Sequence, residues 1–188
     1  MDNLIFVLLG KSGAGKSSLA KAISKHLNIR EIVSTTSRPK REGEVDGKDY
    51  YYKSYEEMEE IAINDGFVEY TCYNNWYYGV EKSEIDNISG NCIVVVEPNG
   101  YKQFKNAYGS RVIPIYIQTS DKERLLRSLH REENPNCKEI CRRLLADTED
   151  FKEVEEDKNI FNIDNNKGFV YAQQSLIDYI NYKIEREN

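Results

Sequence analysis

Residues 10–17 of this 188-residue chain read GKSGAGKS and fill every fixed position of the pattern G-x-x-x-x-G-K-[ST]. Gly10, Gly13 and Gly15 let the backbone curl so that the N–H groups of the loop, from Gly10 through Lys11, Ser12, Gly13, Ala14, Gly15 and Lys16 to Ser17 and Ser18, face phosphate oxygens. Lys16 adds a point charge for the β- and γ-phosphates, and the Ser17 hydroxyl is a hard oxygen ligand for Mg²⁺. The chemistry expected is binding of a nucleoside triphosphate.

Four other groups of residues have chemical potential. A polar loop at residues 34–44 carries Arg38, Lys40 and Arg41, whose planar or point charges suit a phosphate monoester; the alternative is a solvated charged loop. Residues 67–78 are dense in aromatics (Phe67, Tyr70, Tyr73, Trp76, Tyr77, Tyr78), with Glu69 among them as either an exposed strand residue or an acceptor. Glu97 stands alone as an acid after the apolar run CIVVV. Arg124, Arg127, Arg131, Arg142 and Arg143 lie on two helical stretches separated by Asn134-Pro135-Asn136. Cys137 and Cys141 are one helical turn apart with His130 nearby, but three ligands fall short of a structural zinc site, so they and Cys72 and Cys92 read as free thiols. His26, at the end of the first helix, reads as a surface or capping residue.

These groups need elements to hold them. Residues 4–9 (LIFVLL) are a continuous apolar run and predict a buried strand feeding the glycine loop. Leu19, Ala20, Ile23 and Leu27 share a face of a helix after it, whose N-terminus adds positive potential at the loop. Short strands are expected at residues 31–34 and around the Asp46-Gly47 turn in residues 45–52. Residues 55–64 predict a helix with Met58, Ile61 and Ala62 inward, ended by Gly66, and a second helix spans 81–88. Residues 92–96 are a buried strand ending at Glu97-Pro98-Asn99-Gly100, where ligands bind in open α/β sheets. A helix at 101–108 and a strand at 111–117 follow, with Pro114 marking a bulge or edge. Residues 147–157 form an acidic run on a continuing helix and read as a solvated face. A last strand at 159–163 and a helix at 169–186 complete an α/β alternation with a mainly parallel sheet.

The length fits one domain. A net charge of −6 argues against a general nucleic-acid binder. No apolar run approaches membrane-spanning length and the start, MDNLIF, lacks a basic signal region, so no membrane partner and a cytoplasmic location are expected.

Residues 35–50 (TTSRPKREGEVDGKDY) and 67–79, which end in Tyr77-Tyr78-Gly79, resemble the guanylate kinase family, and with the glycine loop and the arginine helices the likeness runs nearly the whole chain. The resemblance implies Mg²⁺-dependent transfer of the γ-phosphoryl of ATP to GMP. It implies a single domain (1–188): a core with a five-stranded parallel sheet (1–33, 84–121, 144–188), a small mixed GMP-binding subdomain (34–83) and a helical lid (122–143). Arg38, Arg41, Tyr50 and Tyr78 would hold the GMP phosphate, and Ser34 and Glu69 would read guanine. Lys16, Arg38, Arg127, Arg131 and Arg143 are the catalytic candidates, and Asn162 matches the adenine-side asparagine. ATP and GMP are the expected partners, for a monomer or homodimer.

Three features depart from the family pattern. Val80 stands where a hydroxyl residue usually follows Tyr-Tyr-Gly, Val95 and Glu97 replace an Asp-x-Asp pair, and Glu132 follows Arg131 where glycine is usual. Val80 and Glu97 therefore join the GMP-side candidates. Two further readings stay open: a related kinase for another phosphate monoester, and a non-catalytic guanylate-kinase-like binding module, against which the intact Lys16-Ser17 pair speaks.

Overall fold

The computed structural model describes residues 3–41, 43–73, 75–131 and 133–187; Glu132, one of the expected departures, lies outside the described residues. The first half of the chain forms β1 (Ile5–Leu9), α1 (Lys16–Leu27), β2 (Arg30–Glu31), β3 (Thr35–Thr36), β4 (Tyr51–Tyr52), α2 (Tyr55–Ile63), β5 (Phe67–Tyr73), β6 (Trp76–Glu81) and α3 (Lys82–Asp86). The second half forms β7 (Cys92–Val95), α4 (Pro98–Tyr108), β8 (Val112–Gln118), α5 (Asp121–Leu129), α6 (Cys137–Asp150), α7 (Lys152–Glu156), β9 (Phe161–Asp164) and α8 (Phe169–Glu187).

Five strands pair in the order β2-β7-β1-β8-β9, every registered pair parallel, as expected. All side chains of β1 are buried, and they alternate between two apolar clusters. Phe6 and Leu8 join Leu19 and Ile23 of α1 and Leu176 and Ile180 of α8. Ile5, Val7 and Leu9 join Phe104 of α4 with Phe151 and Val154. A sheet covered on both faces explains why these strands read as unbroken apolar runs. Because the strands are parallel, β1, β7, β8 and β9 all end at one edge, which collects the glycine loop, Glu97, Thr119 and Asn165.

The second sheet, β4-β3-β6-β5, is mixed: β3 and β4 are parallel, the other pairs antiparallel. A capping box at Ser54 and Glu57 starts α2, whose Met58 is fully buried. Helices α5 and α6 are the two arms of the expected helix–loop–helix.

The structure corrects three expectations. Pro114 is neither in a bulge nor on an edge strand, since β8 lies between β1 and β9. However, β9 pairs only from Ile115 onward, so beside Pro114 one side of β8 has no registered partner and a missing N–H is tolerated there. The acidic run 147–157 is not one solvated helix. It breaks at Phe151 between α6 and α7, and Asp147, Phe151 and Val154 are buried. Finally, Pro98 is the first residue of α4, so that helix begins three residues earlier than its apolar pattern suggested.

Candidate active site

The glycine loop joins β1 to α1. Gly15 caps the helix at φ 95°, with no side chain bonded to the first-turn N–H groups. A Cβ on Gly15 would lie 2.8 Å from Asn165 Nδ2, so this position needs both the left-handed backbone and the missing side chain.

The carbonyls of the loop are occupied from behind. Ala14 O accepts from Asn165 Nδ2 at 2.8 Å, Thr119 Oγ1 at 3.2 Å and Arg127 Nη1 at 3.4 Å. Ser12 O accepts from Arg124 Nε at 2.9 Å, and Gly10 O accepts from Lys16 Nζ. Carbonyls held back in this way leave a surface of N–H dipoles at the helix start, suited to an oxyanion.

Not every loop residue predicted to face phosphate does so. The Ser12 N–H donates to Asp147 Oδ2 at 2.8 Å, the Ala14 N–H to Lys11 O at 3.0 Å, and the Lys11 ammonium pairs with Glu155 at 2.8 Å. The N–H groups of Ser12 and Ala14 are therefore engaged within the protein, while Ser17 and Ser18 are exposed at the start of α1.

Arg124 and Asp147 were not among the predicted site residues. Arg124 is 1% exposed; it pairs with Asp147 and with Asp121 at 2.6 Å while holding Ser12 O. Asp147 is buried with Phe151 and Val154, but its own sequence neighbourhood is acidic and carries no signal of the distant Arg124.

Asn162 is exposed on β9, and the side chain that hydrogen-bonds the loop is that of Asn165, three residues later at the strand end. Asn165 is 2% exposed; its Oδ1 is buried without a partner among the described residues, and its carbonyl accepts from Arg127 Nη2 at 3.0 Å.

The N-terminal end of α4 brings Glu97 and Glu69 together with Lys16. Lys16 Nζ lies 3.5 Å from Glu97 Oε1. Glu69, on β5, is 8% exposed and packs against the start of α4. There, a Cβ on Gly100 would be only 3.1 Å from Glu69 Oε2. Burial, and then the charge of Glu97, push the Glu69 carboxyl up to about 7. Val80 pairs with Glu69 across the β5–β6 ladder but is fully buried in the apolar cluster with Ile32, Val68 and Ile85, so it presents packing and no polar atom.

On the mixed sheet, Arg38, Tyr50 and Tyr78 converge. The Arg38 guanidinium lies 5.5 Å over the Tyr50 ring, and Tyr50 and Tyr78 meet edge to face at 6.0 Å. Arg38 Nη2 donates to both oxygens of Glu44, at 2.8 and 3.0 Å. Glu44 also accepts from the Arg41 backbone at 2.8 Å and Tyr52 Oη at 2.7 Å. Burial works to raise the Glu44 carboxyl, but these donors outweigh it and hold it at about 2. The Arg41 side chain is exposed beside this cluster, and the Ser34 carbonyl accepts from the Tyr51 N–H at 2.9 Å. Arg131, beyond the end of α5, is close enough for its charge to act on Tyr50, and Arg143, on α6, donates through Nε to Glu139 at 2.8 Å.

The cysteines are free; Cys92 is buried, which pushes its thiol up to about 12. Among the described residues no three His, Cys, Asp or Glu gather as a metal cage.

The guanylate kinase family model matches residues 3–179. The chain belongs to the guanylate kinase family. It is 35% identical over 161 residues to a guanylate kinase of Mycoplasma genitalium, covering 83% of this chain and 67% of that one. It is 32% identical over 179 residues to a guanylate kinase of Fusobacterium nucleatum, covering 94% and 95%. The chain spans 67% and 61% of the lengths of two mycoplasma guanylate kinases that it matches. The crystal structure of guanylate kinase from Anaplasma phagocytophilum superposes with a TM-score of 0.75 at 24% identity, over 96% of this chain and 86% of that one. A family of nucleotide kinases accords with the parallel sheet, the glycine loop and the second, mixed sheet. No helix among the described residues is long and apolar enough to cross a membrane.

Proposed function

We propose that this chain transfers the γ-phosphoryl group of ATP to GMP, giving ADP and GDP. The observation that carries this reading is the continuity from Lys16 to Glu97, 3.5 Å apart, and from Glu97 to Glu69, whose carboxyl responds to the charge of Glu97. A donor-phosphate loop and a purine-reading carboxylate thus adjoin. Lys16, Arg127, Arg131 and Arg143 neutralise the transferring phosphoryl group, since such transfer needs positioning and charge stabilisation more than covalent chemistry. Arg38, Arg41, Tyr50 and Tyr78 bind the phosphate of GMP. Ser34 and Glu69 read guanine: a carboxylate accepts from N1–H and the exocyclic amine, and repels the N1 lone pair of adenine. Asn165 takes the ATP-side role expected of Asn162.

Mg²⁺ fits the donor set. The exposed Ser17 hydroxyl is a hard oxygen in the first turn of α1 that would ligate the ion, and Glu97, beside Lys16, would supply a carboxylate to it through metal-bound water or hold an arginine. The ion, when bound, neutralises the β- and γ-phosphate oxygens. The three segments (core, acceptor subdomain 34–83 and lid 122–143) act as separately moving parts, closing to exclude water from the transfer. A coupled assay offering ATP and Mg²⁺ with each nucleoside monophosphate tests the proposal: activity on GMP above AMP, CMP and UMP is expected, and none on GMP overturns it.

A specific observation supports a second reading, a related kinase for another phosphate monoester. Val80 provides no hydroxyl to donate to guanine O6 and is fully buried. The same assay, extended to other monoesters, separates the two.

A further inference from the structure

The strand that carries Glu69 also reaches the arm that carries Arg143. Residues alternate along β5, so Glu69 and Tyr73, four apart, lie on the same side of the strand. Tyr73 Oη donates to Glu139 Oε1 on α6 at 2.9 Å, across 66 residues of chain. The same carboxylate takes Arg143 Nε at 2.8 Å through Oε1, and Arg142 at 2.8 Å through Oε2 and 3.1 Å through Oε1. The Arg142 guanidinium also lies 4.9 Å over the Tyr73 ring.

Glu139 is therefore a node with one donor from the acceptor-side sheet and two from the lid arm. An arginine tethered through Nε keeps its two Nη groups on the opposite edge of a rigid plane. Among the described residues, Arg143 makes no other side-chain hydrogen bond, so that edge is available for phosphoryl oxygens. Without the tether, Arg143 is a long side chain with free torsions, and ordering it would fall on the transfer step.

We propose that Tyr73 and Glu139 are positioning residues: the Tyr73 hydroxyl, through Glu139, orients Arg143 and ties its placement to the strand that reads the acceptor base. The inference rests on the reading of Arg143 as a transfer-site group. Neither residue is among the proposed substrate contacts, so the tether acts on alignment and leaves the affinities of ATP and GMP alone.

The test is steady-state kinetics of the full chain with ATP, Mg²⁺ and GMP for wild type, Tyr73→Phe, Glu139→Gln and the double variant, with melting temperatures alongside. Tyr73→Phe keeps the ring under Arg142 and removes only the hydroxyl. It is expected to lower kcat by about tenfold, within what misplacing a positioning group costs, with both KM values and the melting temperature nearly unchanged. Glu139→Gln is expected to do the same, and the double variant to be no worse than the more impaired single one. An active wild type with unchanged kcat in Tyr73→Phe overturns the inference and leaves the kinase reading standing. Strictly additive losses also overturn it, since the two residues would not act through one another. A wild type without activity on GMP overturns the kinase reading and this inference with it. Should Tyr73→Phe melt early, Glu139→Gln carries the same kcat-against-KM decision alone.

Discussion

Asp147 Oδ2 accepts the backbone N–H of Ser12 at 2.8 Å while the same carboxylate pairs with the buried Arg124 guanidinium. The glycine loop is thereby bolted to α5 and α6, the two helices that carry the candidate catalytic arginines.

Removing one partner of this pair strands a buried charge. Asp147→Ala is expected to lower unfolding free energy by about 3–5 kcal/mol, read as a shift of the urea midpoint. Replacing both partners by apolar residues, Arg124→Met with Asp147→Leu, should recover much of that stability. It should still weaken ATP binding, because the N–H and C=O of Ser12 lose their partners. Full recovery of ATP affinity in the double variant would show that the bolt does not shape the loop.

In the proposed transfer, Lys16 stands where negative charge develops on the transferring group. Lys16→Ala is expected to lower kcat about 10²-fold or more, the usual effect of deleting a fixed electrostatic group. A near-normal kcat would remove Lys16 from the transfer site.

The exposed Arg41 side chain gives the cleanest test of the acceptor-phosphate cluster, because Arg38 is already engaged by Glu44. Arg41→Met is expected to weaken GMP binding by about 1.5–3 kcal/mol, the range for hydrogen bonds to charged groups. Titration calorimetry should find ATP binding unaltered; the reverse pattern would sink the assignment.

Glu69 predicts a pH dependence. Burial, followed by the charge of Glu97, raises its carboxyl to about 7. As pH falls through 7 it takes up a proton and loses the acceptor needed by guanine N1–H. The kcat/KM for GMP, which reports free-enzyme ionisations, should therefore fall below pH 7. Glu69→Gln should have a low value without that limb. The same raised carboxyl stabilises the folded chain fully only below its unfolded value of 4.5, and that contribution is lost as pH rises through 7. Melting temperature in Glu69→Gln should lose this component of its pH slope.

Much of the fold was legible because the parallel sheet is buried on both sides. Residues 4–9 and 92–96 are apolar without interruption, as strands covered on both faces are. The cluster of Arg38, Tyr50 and Tyr78 was legible from its chemistry at short spacing. What escaped depends on distant partners. An aspartate at the head of an acidic run has the same local sequence whether solvent or Arg124 faces it. Asn162 and Asn165 differ only in which one lies beyond the end of β9, a boundary that sequence patterns place poorly. Glu139 and Tyr73 have no local signature at all, since their meeting is set by how the second sheet and the lid arm come together.

Helix α1 begins at a glycine, with no side chain among the described residues bonded to its first-turn amides. Helices ordinarily carry a side-chain cap, and a glycine in its place costs roughly a few tenths of a kcal/mol. On the proposed reading a phosphate group is the missing cap, so ligand and helix terminate each other. Any oxyanion of suitable size is then a partial chaperone for this end of the fold. By mass action each tenfold rise of nucleotide above its Kd adds about 1.4 kcal/mol of stability. The resistance of this chain to heat and proteolysis thus becomes a readout of how much nucleotide surrounds it.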